Sequence, residues 1–155
     1  MKLNFFILSI FYIFLANCGF QIVDQNYFKE YKFVETKITG DKRVAYLLRN
    51  KLRVGNETAS KSIKLALTTK KQKEIKEKNI QNEVTKYEIT ITANINYDVI
   101  DSGSSGTLEI SKQGSYAVSE KYSDTLNNEK RLIKDLVNNI SDQILRDLSL
   151  KLDDL

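Results

Sequence analysis

Tyr87-Glu88-Ile89-Thr90-Ile91-Thr92-Ala93-Asn94-Ile95-Asn96-Tyr97-Asp98-Val99 decides the fold class. Apolar residues stand at every odd position of this stretch and polar ones at every even position. Successive side chains of a strand point to opposite faces, so this pattern predicts a strand with one face in a core and the other in water. A helix would scatter the same residues around its axis. At about 3.4 Å per residue, a strand of roughly 14 residues reaches about 48 Å, so a strand end is expected to project beyond a small core.

Reading outward, Asp101-Ser102-Gly103-Ser104-Ser105-Gly106 is a turn. Leu108 and Ile110 resume the alternation, and Tyr116, Val118 and Tyr122 complete it. Gly114 interrupts it and suggests a bulge or bend. On the other side, Ile63, Leu65 and Leu67 alternate with polar or small residues and predict a further strand. Lys70-Lys71-Gln72-Lys73-Glu74-Ile75-Lys76-Glu77-Lys78-Asn79 then reads as a polar hairpin tip, because strand patterning flanks it on both sides. Short connections favour an antiparallel meander.

Two helices complete the pattern. Residues 41–53 carry Val44, Leu47, Leu48 and Leu52 on one stripe, with Asp41 as N-cap and Gly55-Asn56 as stop signal. Arg43, Arg49, Asn50 and Lys51 lie mostly off the stripe, as a solvated face or a contact for an anionic partner. Residues 124–152 form a long helix with a broad apolar stripe from Leu126 to Leu152, capped by Ser123 or Asp124. Tyr31–Ile38 alternates loosely and reads as a short first strand. The expected fold is α+β: a two-layer sandwich in which an antiparallel sheet of long strands packs against two helices and leaves its other, polar face open.

The amino terminus is of another kind. Lys2 precedes an unbroken apolar run from Phe5 to Ala16, too short to span a bilayer, which needs about 20 apolar residues. Leu15-Ala16-Asn17-Cys18 follows and holds the single cysteine of the chain. It resembles the lipobox of bacterial lipoproteins, although Asn17 stands where Gly, Ala or Ser is usual. The resemblance implies a signal peptide over 1–17, acylation at Cys18, a tether over 18–29 and the sandwich over 30–155. Gly19, rather than Asp, follows the cysteine, which by the same resemblance implies the outer membrane.

Composition narrows the chemistry. With 24 Lys+Arg against 20 Asp+Glu, the net charge of +4 is too small to argue for nucleic acid. There is no His and a single Cys, which excludes an intrachain disulfide, Cys/His zinc sites and His-based triads. No nucleophile elbow, phosphate loop or metal-ligand cluster occurs, so no catalytic residue, metal or cofactor is assigned. Lys70, Lys71 and Lys73 lie in the densest basic cluster, which suits phosphate groups as point charges.

The order Cys-Gly-Phe at 18–20, a strand, Arg43 followed by Leu47-Leu48-Arg49-Asn50-Lys51-Leu52, three alternating strands, Tyr116 and a long last helix resembles the LPS-assembly lipoprotein family (LptE-like). That resemblance implies a non-catalytic plug inside a large outer-membrane β-barrel. Such a protein helps the barrel assemble and binds lipopolysaccharide on its way to the outer leaflet. It would be lipid-anchored, periplasm-facing and within the barrel lumen. Lys70, Lys71 and Lys73 are then candidates for lipid A phosphate contact. The rival reading is an outer-membrane lipoprotein that serves a cell-wall synthase or another assembly machine.

Overall fold

A computed structural model describes residues 31–52, 59 and 61–153. The expected signal peptide, Cys18 and the expected tether lie outside the described residues. In chain order the elements are β1 (Tyr31–Gly40), α1 (Lys42–Leu52), β2 (Lys61–Lys78), β3 (Val84–Val99), β4 (Ser104–Ala117) and α2 (Tyr122–Asp153). The fold is α+β, with a four-stranded sheet in the order β1-β2-β3-β4.

β3 is the spine of the sheet, antiparallel to β2 on one side and to β4 on the other. Its odd residues face inward: Ile89, Ile91, Ala93 and Ile95 are fully buried, against a core that includes Ile133, Ile140, Ile144 and Leu148 of α2 and Val44, Leu48 and Leu52 of α1. The sheet is mixed rather than wholly antiparallel, because β1 runs parallel to β2. The helix between them explains the difference. α1 carries the chain back along the sheet, so β2 starts at the same end as β1.

Local chemistry sets the element ends. Gly40 has φ +103°, and a Cβ there would overlap the Thr69 carbonyl oxygen of the neighbouring strand. Asp41 then caps α1 as expected: its Oδ1 accepts the amides of Arg43 and Val44 at 3.1 and 3.0 Å. The long helix starts earlier than expected. The amides of Asp124 and Thr125 bond the Lys121 carbonyl, so Ser123 and Asp124 lie inside the first turn instead of capping it. The Thr125 hydroxyl instead takes the Ser119 amide at 2.8 Å.

Two further expectations change. Gly114 marks no bulge, since β3 and β4 pair without a register shift. It makes room for α2: a Cβ there would lie 2.7 Å from Leu132 Cδ1. Nor is Lys70–Asn79 a hairpin tip, because β2 continues in register with β3 from Lys70 to Ile75 and ends at Lys78. The turn is Asn79–Glu83, where the Asn79 side chain accepts the amides of Gln81 and Glu83 at 3.0 and 2.9 Å and Asn82 takes φ 64°. Helix cover ends before that turn, so inward-facing Ile75 is 53% exposed and Ile80, in the turn, 97%. No described helix is long and apolar enough to cross a membrane.

Candidate functional site

The three lysines singled out by charge density do not share a face. In β2 the inward positions run Ile63, Leu65, Leu67, Thr69, and Lys71 and Lys73 continue that series. Lys70 points the other way, to the open face, and is exposed. Lys71 Nζ lies 3.3 Å from Asp41 Oδ2, where it meets the capping carboxylate of α1. Lys73 Nζ donates to Glu129 Oε2 of α2 at 2.7 Å. Both are therefore tied to the helix layer.

Lys73 sits in the most built polar cluster of the described residues. Its ammonium lies 4.3 Å from the centroid of the Tyr87 ring and 5.3 Å from that of Tyr116, within reach of both ring faces. The two rings stack with centroids 5.7 Å apart. The Tyr116 hydroxyl donates to the same Glu129 oxygen at 2.7 Å. Thus β2, β3, β4 and α2 each contribute one side chain. Partial burial raises the Glu129 carboxyl, but the Lys73 and Tyr116 bonds outweigh it and hold it below its ordinary value. Burial likewise opposes the Lys73 charge, and the bond to Glu129 overcomes it, so that this ammonium sits above the usual lysine value. Burial pushes the Tyr116 phenol up. Lys73, Glu129 and Tyr116 are thus joined through one carboxylate oxygen.

The open face has a different character. Thr90, Thr92, Asn94, Asn96 and Asp98 of β3 line it, flanked by Lys64, Thr68, Lys70 and Gln72 of β2 and by Thr107, Glu109, Ser111 and Gln113 of β4. Hydroxyls meet across strands, as in Thr92 and Ser111 at 3.1 Å. Lys76 pairs with Glu88 at 2.6 Å and Lys86 with Glu77 at 2.7 Å, so both signs alternate. No large apolar side chain interrupts the Thr, Asn and Ser rows. Such a surface binds through many hydrogen bonds and water bridges rather than through an apolar pocket. Among the described residues, no group of three or more His, Cys, Asp or Glu could hold a metal ion.

The outer face of α1 is the third surface. Lys42, Arg43, Tyr46, Arg49, Asn50 and Lys51 are exposed, while Val44, Ala45, Leu48 and Leu52 pack inward.

This layering has counterparts among solved structures. It is similar to rare lipoprotein B from Shewanella oneidensis, with TM-score 0.57 and 14% identity over 77% of this chain and 97% of that one. It is also similar to lipoprotein B from Nitrosomonas europaea, with TM-score 0.54 and 17% identity over 87% of this chain and 93% of that one. The likeness is one of fold. At such identity the shared fold of these lipoproteins transfers no site residue to this chain. A scan against protein-family models finds no match, and a search of curated proteins finds none.

Sequence reasoning missed the Lys73, Tyr87, Tyr116 and Glu129 cluster. Its signal was present: Lys73 has the parity of Ile63, Leu65 and Leu67, so a strand prolonged past Thr69 turns it inward. Tyr46 was also passed over, and its place opposite the buried stripe of α1 marks it.

Proposed function

We propose that this protein is a non-catalytic outer-membrane lipoprotein, held by acyl chains on Cys18, that plugs and helps assemble a β-barrel lipopolysaccharide translocon. The observation that carries the reading is the open sheet face, a broad wall of hydroxyl, amide and alternating charged groups with its helices all on the other side. A plug in a wide hydrated lumen needs such a surface, because the lumen wall of a large barrel is itself polar. A fold similar to that of lipoprotein B proteins is consistent with this. Several acyl chains give stable anchoring, at about 0.8 kcal/mol per buried methylene.

Lipopolysaccharide is then met through its phosphates. Of the three nominated lysines, Lys70 is on the open face and has no ion-pair partner among the described residues. Lys71 and Lys73 engage a phosphate only by giving up Asp41 and Glu129. Neutralising Lys70 alone should therefore remove most of the effect of neutralising all three in a direct lipopolysaccharide-binding assay. Binding unchanged in the triple variant would remove these residues from the site.

The deciding experiment is affinity purification of the C-terminally tagged protein from outer membranes in mild detergent, with mass spectrometry of what co-purifies. A near-stoichiometric β-barrel of the lipopolysaccharide-transport type is expected. A cell-wall synthase in its place, or no barrel under conditions that preserve known barrel complexes, overturns the reading.

A further inference from the structure

α1 carries a charge pattern that its own fold does not explain. Every charged residue from Lys42 to Leu52 is basic: Lys42, Arg43, Arg49 and Lys51. Arg49 and Lys51 near the C-terminus suit the helix dipole, but Lys42 and Arg43 in the first turn oppose it, and that turn holds no acidic residue. Asp41, just before the helix, is already occupied by two amides and Lys71.

None of the four cations has an ion-pair partner among the described residues. The sheet carries both signs: Lys71, Lys73, Lys76 and Lys86 each find a carboxylate, although Lys70 has none among the described residues. α2 mixes both signs along its length. Of the two helices, α1 alone presents charge of a single sign. In its middle stands Tyr46, 64% exposed, one helical turn from Arg43 on one side and from Arg49 on the other.

We infer that the outer face of α1, with Tyr46 between Arg43 and Arg49, is a docking surface for a carboxylate-rich segment of a protein partner. The charge is complementary to an anionic occupant. The planar guanidinium fork matches a carboxylate in two parallel bonds. Tyr and Arg are the residues that concentrate binding energy at protein interfaces. A membrane surface fits less well. An interfacial helix must bury an apolar face in the lipid, and the apolar stripe of α1 is already spent on the sheet. A helix of this length spans about 16 Å, which makes the face an anchor within a larger interface. The proposal goes beyond the plug reading and does not require the partner to be the barrel.

The test is photo-cross-linking in cells, using the full chain with benzoylphenylalanine in place of Tyr46, and mapping the adduct by mass spectrometry. The same probe at Thr92 reports on the open sheet face. The expected result is an adduct at position 46 to a segment rich in Asp and Glu. Its yield should fall about tenfold in the Arg43→Glu, Arg49→Glu double variant. Arg43→Glu gains from the helix dipole about what Arg49→Glu loses, so the melting temperature should hold; Arg43→Gln with Arg49→Gln serves as the milder pair. An adduct to lipid or lipopolysaccharide, one to a segment without carboxylates, a yield indifferent to the charge reversal, or no adduct overturns the proposal. Capture of a barrel at position 92 with nothing at 46 would sink this inference and leave the plug reading standing. Capture of an acidic segment of some other protein at 46, with no barrel at either position, would do the reverse.

Discussion

Glu129 accepts two hydrogen bonds on one oxygen, from Lys73 and Tyr116, and so ties α2 to two strands, β2 and β4, at the point where helix cover ends. The pair is partly open to water, with 39% of the Lys73 side chain and 21% of the Glu129 side chain exposed. Solvent screening therefore limits its worth, and Glu129→Gln should cost about 1 kcal/mol. In a domain of this size that lowers the melting temperature by about 3–6 °C. The pH dependence follows from the directions of the shifts. Glu129 is held below its ordinary 4.5, so its contribution is full above that pH and is lost as the pH falls through the depressed value. Lys73 is held above its ordinary 10.5, so its contribution is full below that pH and is lost as the pH rises through the raised value. Stability due to the pair should be flat from about pH 6 to 9. Glu129→Gln should shrink the acid-side loss in thermal melts, and an unchanged acid limb would mean that the pair is not formed in solution. Asp41 permits a sharper comparison. Asp41→Ala removes both the cap and the Lys71 partner and should cost about 1–2 kcal/mol, whereas Asp41→Asn keeps capping ability and should cost less than half as much. Equal losses in denaturant titrations would assign the whole effect to the ion pair.

The junction between β1 and α1 depends on one glycine. Gly40 combines a positive φ with a Cβ position filled by the Thr69 backbone oxygen. Backbone in a sheet cannot step aside, so Gly40→Ala should cost at least about 2 kcal/mol. At Gly114 the obstacle is the end of the Leu132 side chain, which can rotate, and Gly114→Ala should cost less than about 1 kcal/mol. A smaller loss at position 40 than at 114 in chemical unfolding would contradict the register of β1 on β2. These elements also show what a sequence reveals. β3 was legible because one face is buried and the other wet, so burial wrote itself into the alternation. The Asp41 cap was legible because capping is local chemistry. The second half of β2 was not: from Lys70 onward the inward positions are the ion-paired Lys71 and Lys73 with Ile75 alone apolar, and the period-2 contrast fades while the ladder continues. The direction of β1 depends on where α1 delivers the chain, which no local pattern records. The lysine cluster failed for a related reason. Charge density counts cations without saying which face each one joins, and Lys71 and Lys73 were already committed to Asp41 and Glu129.

Across the whole molecule, α2 works as a strap. Near its start Glu129 grips Lys73 and Tyr116, and at its end the Leu152 carbonyl accepts the Tyr31 hydroxyl at 3.4 Å, joining the last helix to the first strand. The helix is 32 residues long, about 48 Å at the usual rise, and bears on strands of comparable reach. Core, strap and both ends of the sheet thus close among the described residues, downstream of Cys18. Folding and anchoring should then be separable. Replacing Cys18 by Ser in the full chain removes the thiol that would carry the acyl chains, and with it the membrane affinity that they supply. The folded domain should survive, as a protease-resistant core of unchanged size in cell fractions. The share in the outer membrane, and recovery of a barrel partner with it, should fall by about tenfold or more. If the resistant core disappeared with the anchor, the domain would depend on contacts outside the described residues. If the core and the outer-membrane share both persisted, the domain would be held by its partner rather than by lipid, and the anchor would serve delivery alone.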